Sequence, residues 1–199
     1  MATGGAFEAI VLGAGQGSRF GGGKLTAPWG GGVLLDGALA AAFAAPARGV
    51  IVTWGADAAV PQVAEAFANR IGAGERLTVV HAPLYANGLS ASLRAGVAAL
   101  PADSDGAFVF LGDMPRIPQA VLQPLADAVH GGAAAAATTF AGQRGHPVLF
   151  GRALLPRLAE LDGDKGAGGL LARLGDQLVL IEAPDDGVLY DVDQRSDLK

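Results

Sequence analysis

Two cations sit inside a glycine-rich stretch near the amino end, Leu12-Gly13-Ala14-Gly15-Gln16-Gly17-Ser18-Arg19-Phe20-Gly21-Gly22-Gly23-Lys24-Leu25. Without a Cβ in the way, glycine backbone brings its N–H groups close to phosphate oxygens. Arg19 and Lys24 beside such a loop suit a triphosphate, because the charge of a departing pyrophosphate has to be neutralised. Two familiar phosphate loops do not fit. A P-loop would need Gly where Ser18 stands and Ser or Thr where Leu25 stands. A dinucleotide fingerprint would need a third Gly at Ser18 and an acid for ribose at the end of the second strand, which ends in Thr53-Trp54 instead. The bland alternative is a flexible turn carrying solvated cations.

Acids that could serve such a ligand follow later. Asp113 comes just after the apolar run Ala107–Leu111. A lone carboxylate facing several phosphates is well placed to hold Mg²⁺, which takes one or two carboxylates and fills its shell with phosphate oxygens and water. The same position would also suit a helix N-cap ahead of Pro118. Asp191 and Asp193 alternate in Leu189-Tyr190-Asp191-Val192-Asp193; on a strand they would share one face, lining a site or a solvated edge. His146 lies between Gly145 and Pro147, and Lys165 in the loop Gly163-Asp164-Lys165-Gly166. These two segments are not needed for a nucleotide. They offer an imidazole donor and a cation to a second, anionic substrate, or are simply a strand-start histidine and a solvated lysine.

Composition removes other classes. The 199 residues hold no cysteine, so disulfides, thiolate metal sites and cysteine nucleophiles are excluded. A net charge of −5 without a basic cluster argues against nucleic acid. No His/Asp/Glu spacing matches zinc, and no nucleophile elbow is present. The start lacks a basic n-region and no stretch reaches a membrane span, so a soluble cytoplasmic protein is expected.

Elements able to position these residues follow from the apolar pattern. Strands are expected at Phe7–Leu12, Gly49–Thr53, Leu77–Val80, Ala107–Leu111, Ala134–Phe140, Pro147–Phe150 and Gln177–Ile181. Helices are expected at Val33–Ala45, Ala58–Arg70, Leu89–Leu100 and Pro118–Val129, with short ones at Ala153–Glu160 and Gly168–Leu174. Unbroken apolar strands, each followed by a helix, predict a doubly wound, mostly parallel α/β sheet. Its strand-to-helix loops gather on one edge, where ligands bind. After about residue 133 the pattern becomes a hairpin with short helices. The expectation is one domain over 1–199, with a nucleotide-binding half (1–132) and an acceptor-side half (133–199). Lys24, following a glycine run, is expected at the surface.

Taken together, Leu12–Leu25, Gly88-Leu-Ser-Ala-Ser-Leu-Arg-Ala-Gly96 and Gly112-Asp-Met-Pro115 resemble the MobA-like nucleotidyltransferases. Gly145–Phe150, Gly163–Gly166 and Asp191-Val-Asp-Gln-x-x-Asp-Leu198 resemble the molybdenum cofactor cytidylyltransferase branch. The resemblance spans nearly the whole chain in order. It implies a Rossmann-like nucleotidyltransferase that joins CTP to the molybdenum cofactor and releases pyrophosphate. By the same resemblance, Leu12, Gly13, Ala14 and Gly15 contact phosphates, and Arg19 and Lys24 neutralise charge. Gly88, Ser90 and Ser92 surround base and ribose, Asp113 and Asp193 hold Mg²⁺, and His146 and Lys165 meet the acceptor. Ala14 stands where the guanylyl branch typically has Gly, which favours CTP over GTP. Implied partners are CTP, the molybdopterin cofactor and a receiving molybdenum hydroxylase or its insertion chaperone.

There are departures. Gly13 replaces a common Ala, which would loosen the turn; Asn87 stands where an acid is common, and Gln194 where Thr is common. The rivals are a guanylyltransferase or another nucleotidyltransferase of this fold, and a non-catalytic chaperone. Lys24, Asp113 and Asp193 argue against the chaperone, since a binder need not keep a cation and two acids around one phosphate chain.

Overall fold

In the computed structural model, which describes residues 6–163 and 166–198, seven strands form one sheet. In chain order the elements are β1 (Phe7–Gly13), β2 (Pro28–Trp29), β3 (Gly32–Val33), α1 (Leu35–Ala44), β4 (Val50–Trp54), α2 (Val60–Arg70), β5 (Leu77–His81), α3 (Leu89–Ala98) and β6 (Gly106–Leu111). They continue with α4 (Leu122–His130), β7 (Ala135–Phe140), β8 (Gln143–Gly151), α5 (Leu155–Ala159), α6 (Gly168–Leu171) and β9 (Leu178–Glu182). The sheet order is β5-β4-β1-β6-β8-β7-β9, and β2 and β3 make a separate two-stranded ribbon. Only β8 runs against the rest of the sheet. The expected hairpin is therefore β7–β8, and β8 inserts beside β6.

β1 is buried along its whole length because both of its faces are covered. Phe7, Ala9 and Val11 pack with α1, α2 and α4, while Ile10 and Leu12 pack with α3, α5 and α6. This is why the strands read as continuous apolar runs and not as alternation.

Strand order fixes the position of the site. From β1 the chain adds β4 and β5 on one side, then returns to place β6 on the other. Between β1 and β6 the direction of addition reverses, and ligand crevices open at the carboxyl ends of strands beside such a reversal. Leu12 pairs with Leu111 there, and Gly112 N donates to Leu12 O at 3.0 Å. The glycine loop and Asp113 thus leave the sheet side by side. At the opposite edge the buried Glu8 accepts from Arg48 at 2.8 Å and from Gly49 N at 2.8 Å, a structural clip.

Candidate active site

Beyond β1 the glycine loop folds back on itself, with the N–H groups of Phe20, Gly21 and Gly22 all donating to Gly17 O. It bounds a cleft of about 650 Å³ whose walls include Leu12, Gly13, Ala14, Gly15, Lys24 and Asp113. Gly13 does not loosen a turn: it ends the strand, and a Cβ built on it would lie 2.8 Å from Thr53 O. Its smallness lets β1 and β4 approach each other at the cleft.

Four charged residues from three distant parts of the chain meet at this mouth. Lys24 Nζ lies 2.5 Å from Asp113 Oδ2 and 3.9 Å from Asp193 Oδ1, and Arg19 Nη1 lies 2.8 Å from Asp193 Oδ2. The Lys24 side chain is only 15% exposed, against 77% for Arg19. Lys24 is therefore a clamped ammonium and not the surface lysine expected from its glycine neighbours, because Asp113 draws it inward.

Asp191 and Asp193 do not lie on a strand. Residues 189–194 are irregular, anchored by Val192 N, which donates to Asp113 O at 3.1 Å. Burial first, then the charges of Asp113 and Asp193, hold the Asp191 carboxyl above its usual range. Asp197 Oδ2 accepts from the backbone N–H of Asp193 at 3.0 Å and of Gln194 at 2.7 Å, fixing the turn that aims Asp193. Asp197 belongs to the motif Asp191–Leu198, but the sequence alone assigns it no role. Its signal was the capping box, in which Gln194 takes the N-cap position.

A cation already sits between two carboxylates here, since Lys24 reaches both Asp113 and Asp193. Among the described residues no group of three or more His, Cys, Asp or Glu could hold a metal unaided. Two acids facing open space match a Mg²⁺ site completed by phosphate and water better than a protein cage.

The third wall of the cleft is the start of α3. Gly88 caps the helix at φ 101°, a left-handed conformation that favours glycine, and it lines the cleft with Ser92. Ser90 does not. It is fully buried, its Oγ has no partner, and it is not part of the cleft wall. Helical geometry explains the difference: Leu89 and Ser92 are three apart and share a face, whereas Ser90 is turned about 100° away from Leu89.

Asp57 and Tyr85, which the sequence reading did not single out, also line the cleft. Asp57 Oδ2 accepts from Thr26 Oγ1 at 3.1 Å, and Asp57 Oδ1 accepts from Ala59 N at 2.9 Å. It follows β4 as Asp113 follows β6, so the rule that found one acid could have found the other. The Tyr85 ring rests on the Gly55 backbone, where a Cβ would come within 2.6 Å of it.

Of the two residues expected to meet the acceptor, Lys165 lies outside the described residues. His146 lines a second cavity of about 190 Å³ that shares Leu12, Leu89 and Leu111 with the cleft. Burial pushes its imidazole below the ordinary range, against the opposing pull of the Val109 carbonyl and Asp113. It is consequently a neutral ring at neutral pH, not the cationic partner a phosphate would favour.

The model of the MobA-like NTP transferase domain matches residues 9–178. The chain belongs to this family. As a MobA-like NTP transferase it is a nucleotidyltransferase, and its sequence likeness runs to the cytidylyltransferase branch. The molybdenum cofactor cytidylyltransferase of Escherichia coli (strain K12) is 29% identical over 150 residues, which are 75% of this chain and 72% of the relative. Rv0371c from Mycobacterium tuberculosis H37Rv superposes with a TM-score of 0.79 at 27% identity, covering 98% of this chain and 96% of that one. A manganese complex of the same mycobacterial protein superposes at 0.68 with 26% identity, covering 91% and 89%. Among the described residues no helix is long and apolar enough to cross a membrane.

Proposed function

We propose that this MobA-like NTP transferase is a cytoplasmic enzyme that transfers CMP from CTP to the terminal phosphate of the molybdenum cofactor, with Mg²⁺, for delivery to a molybdenum hydroxylase. The observation that carries the reading is the Lys24–Asp113–Asp193 cluster at the mouth of a glycine loop beside the β1/β6 reversal. The likeness to a molybdenum cofactor cytidylyltransferase supports the acceptor.

An oxygen of the acceptor phosphate attacks the α-phosphorus of CTP, the bond to the bridging oxygen breaks, and pyrophosphate leaves. Glycine-loop backbone holds the phosphate chain. Lys24 and Arg19 turn from their carboxylates toward the phosphates and meet the charge that gathers on pyrophosphate, as phosphoryl-type transfers rely on positioning and electrostatics. Asp113 and Asp193 would hold Mg²⁺, which when bound supplies Lewis acidity to the phosphate oxygens. Gly88 and Ser92 bound the nucleoside end of the cleft.

Pyrophosphate release, measured with each nucleotide in the presence and absence of molybdopterin, tests this. CTP with cofactor should turn over and GTP should be much slower. Ala14 lines the cleft at 1% exposure, so Ala14→Gly is the variant expected to relax selectivity. A methyl group accounts for only about 1–3 kcal/mol of discrimination, and equal rates with GTP and CTP would refute the nucleotide assignment.

A further inference from the structure

One charged side chain of the Gly88–Gly96 stretch borders neither the cleft nor the second cavity: Arg94. Its helix, α3, is a wall that the two share. Gly88, Leu89 and Ser92 border the cleft, while Leu89 and Leu93 border the second cavity. Gly166 and Ala167, from the connection between α5 and α6, border the second cavity as well.

Contacts at Arg94, Ser90 and Leu89 bind that connection to α3. Arg94 Nη1 donates to Leu161 O and lies 3.4 Å from Asp162 Oδ1. Ser90 N donates to Gly163 O at 3.3 Å. Gly166, at φ 51°, packs on Leu89, whose Cδ2 would lie 3.0 Å from a Cβ built on the glycine. The bond at Ser90 has a consequence for the helix. No side chain caps α3, and the first N–H groups of a helix have no partner within it. Gly163 O supplies one from a distant part of the chain. The turn it caps is the one that presents Gly88, Leu89 and Ser92 to the cleft.

The place of the connection and the order of that first turn therefore depend on each other. Arg94 sets the place. It stands one helical turn beyond Ser90 on the same face of α3, and it holds the connection at Leu161, just after α5. The bond to the carbonyl outweighs the ion pair. The Asp162 side chain is 88% exposed, against 28% for Arg94, and a pair so open to water contributes little.

We infer that Arg94 is a positioning residue for nucleotide transfer: it fastens the α5–α6 connection to α3, so that a nucleotide seated against Gly88 and Ser92 steadies the walls of both cavities at once. The inference deepens the proposed function but rests only on a nucleotide in the cleft, whichever base it carries. Because coupling between sites is reciprocal, loosening the connection also weakens the hold on the nucleotide.

Amide hydrogen exchange of the full chain tests this, read for peptides covering residues 161–163. The probe is Mg²⁺ with whichever of the common ribonucleoside triphosphates binds most tightly. In the wild type the nucleotide should slow exchange in these peptides. Arg94→Met keeps the apolar stem and loses the donor, so exchange there should rise about tenfold, the scale of one lost hydrogen bond. The nucleotide should no longer slow it, and peptides of β1 should exchange as in the wild type. Arg94→Lys should recover part of the protection, and Asp162→Ala should behave as the wild type. If Arg94→Met does not fold, Gly163→Ala carries the test. At φ 76° its Cβ meets nothing within 4 Å, so it strains the turn alone and should give the same local loss. Unchanged exchange or surviving nucleotide protection in the variant measured would overturn the assignment. So would faster exchange throughout β1, or an effect of Asp162→Ala as large as that of Arg94→Met. Turnover is read separately. A wild type that shows the nucleotide protection yet moves no CMP onto molybdopterin refutes the proposed transfer and keeps this role for Arg94. An active wild type whose Arg94→Met variant has the same kcat and KM values refutes the role and keeps the transfer.

Discussion

Lys24 and Asp113 are paired and largely shielded from water, with side chains 15% and 22% exposed, so each substitution acts on its partner as well. Asp113→Asn keeps the shape of the side chain and a hydrogen-bond acceptor for Lys24 but removes charge from the mouth of the cleft. Its turnover should fall by about 10²-fold or more, the scale of losing one preorganised charge at a reacting centre, with little change in melting temperature. Lys24→Ala should fall as far in rate and also melt lower, because it leaves Asp113 facing Asp193 and Asp191 with no ammonium between them. Near-wild-type rates for Asp113→Asn at saturating Mg²⁺ would exclude it from the site. His146 gives a prediction about pH. Its folded-state pKa lies below the unfolded value of 6.5, so below pH 6.5 the unfolded chain binds the proton that the native ring refuses. Stability should therefore fall as pH drops from 6.5 through the folded pKa, and be fully present above 6.5. His146→Gln should lose this part of the pH dependence of the melting curve. A parallel pH dependence in wild type and variant would place the effect elsewhere.

At the scale of elements, all seven strands of the sheet were legible, within a residue or so at most ends, most plainly the central ones such as β1 and β6, which are covered on both faces and so apolar nearly throughout. β8 is the exception. It begins at Gln143, four residues before the expected Pro147, since its first residues pair only with β7 and can be polar. Lys24, Arg19, Asp113 and Asp193 were legible as candidates, but the ion pairs among them were not, because spacing in sequence says nothing about residues 174 positions apart such as Arg19 and Asp193. The ribbon β2–β3 was missed because two-residue strands leave no periodicity to detect. Packing between elements is equally hidden. A Cβ on Gly37, in α1, would lie 2.3 Å from Pro115 O, on the loop that carries Asp113. Gly37→Ala should raise helix propensity by about 1 kcal/mol yet cost about 1–3 kcal/mol through forced backbone movement, and the rate should drop as Asp113 shifts. An increase in melting temperature would mean that α1 does not press on this loop.

For the whole molecule, residues 133–182 are woven into the first two thirds of the chain. β8 lies directly beside β6, with β7 and β9 outside it, so residues 133–182 continue the sheet that β1 begins. The tail then returns across the site: Arg19 pairs with Asp193, and the Arg116 guanidinium lies 4.0 Å from the Tyr190 ring centre and 5.4 Å from that of Trp29. A chain divided into independent halves would show few contacts across position 132, whereas here the boundary runs through a continuous ladder and both cores. We therefore propose a single cooperative unit. In guanidinium, the helix and sheet signal should be lost at the same midpoint as the fluorescence of Trp29 and Trp54, which lie on the ribbon and on β4. A fragment of residues 1–132 should fail to fold, because it strips the antiparallel partner from β6 and exposes the apolar faces of Phe108 and Phe110, leaving an unpaired edge prone to association. Two separated transitions, or a monomeric 1–132 fragment with native-like circular dichroism that still binds CTP, would show that the nucleotide half stands alone and that the acceptor side is an addition to it.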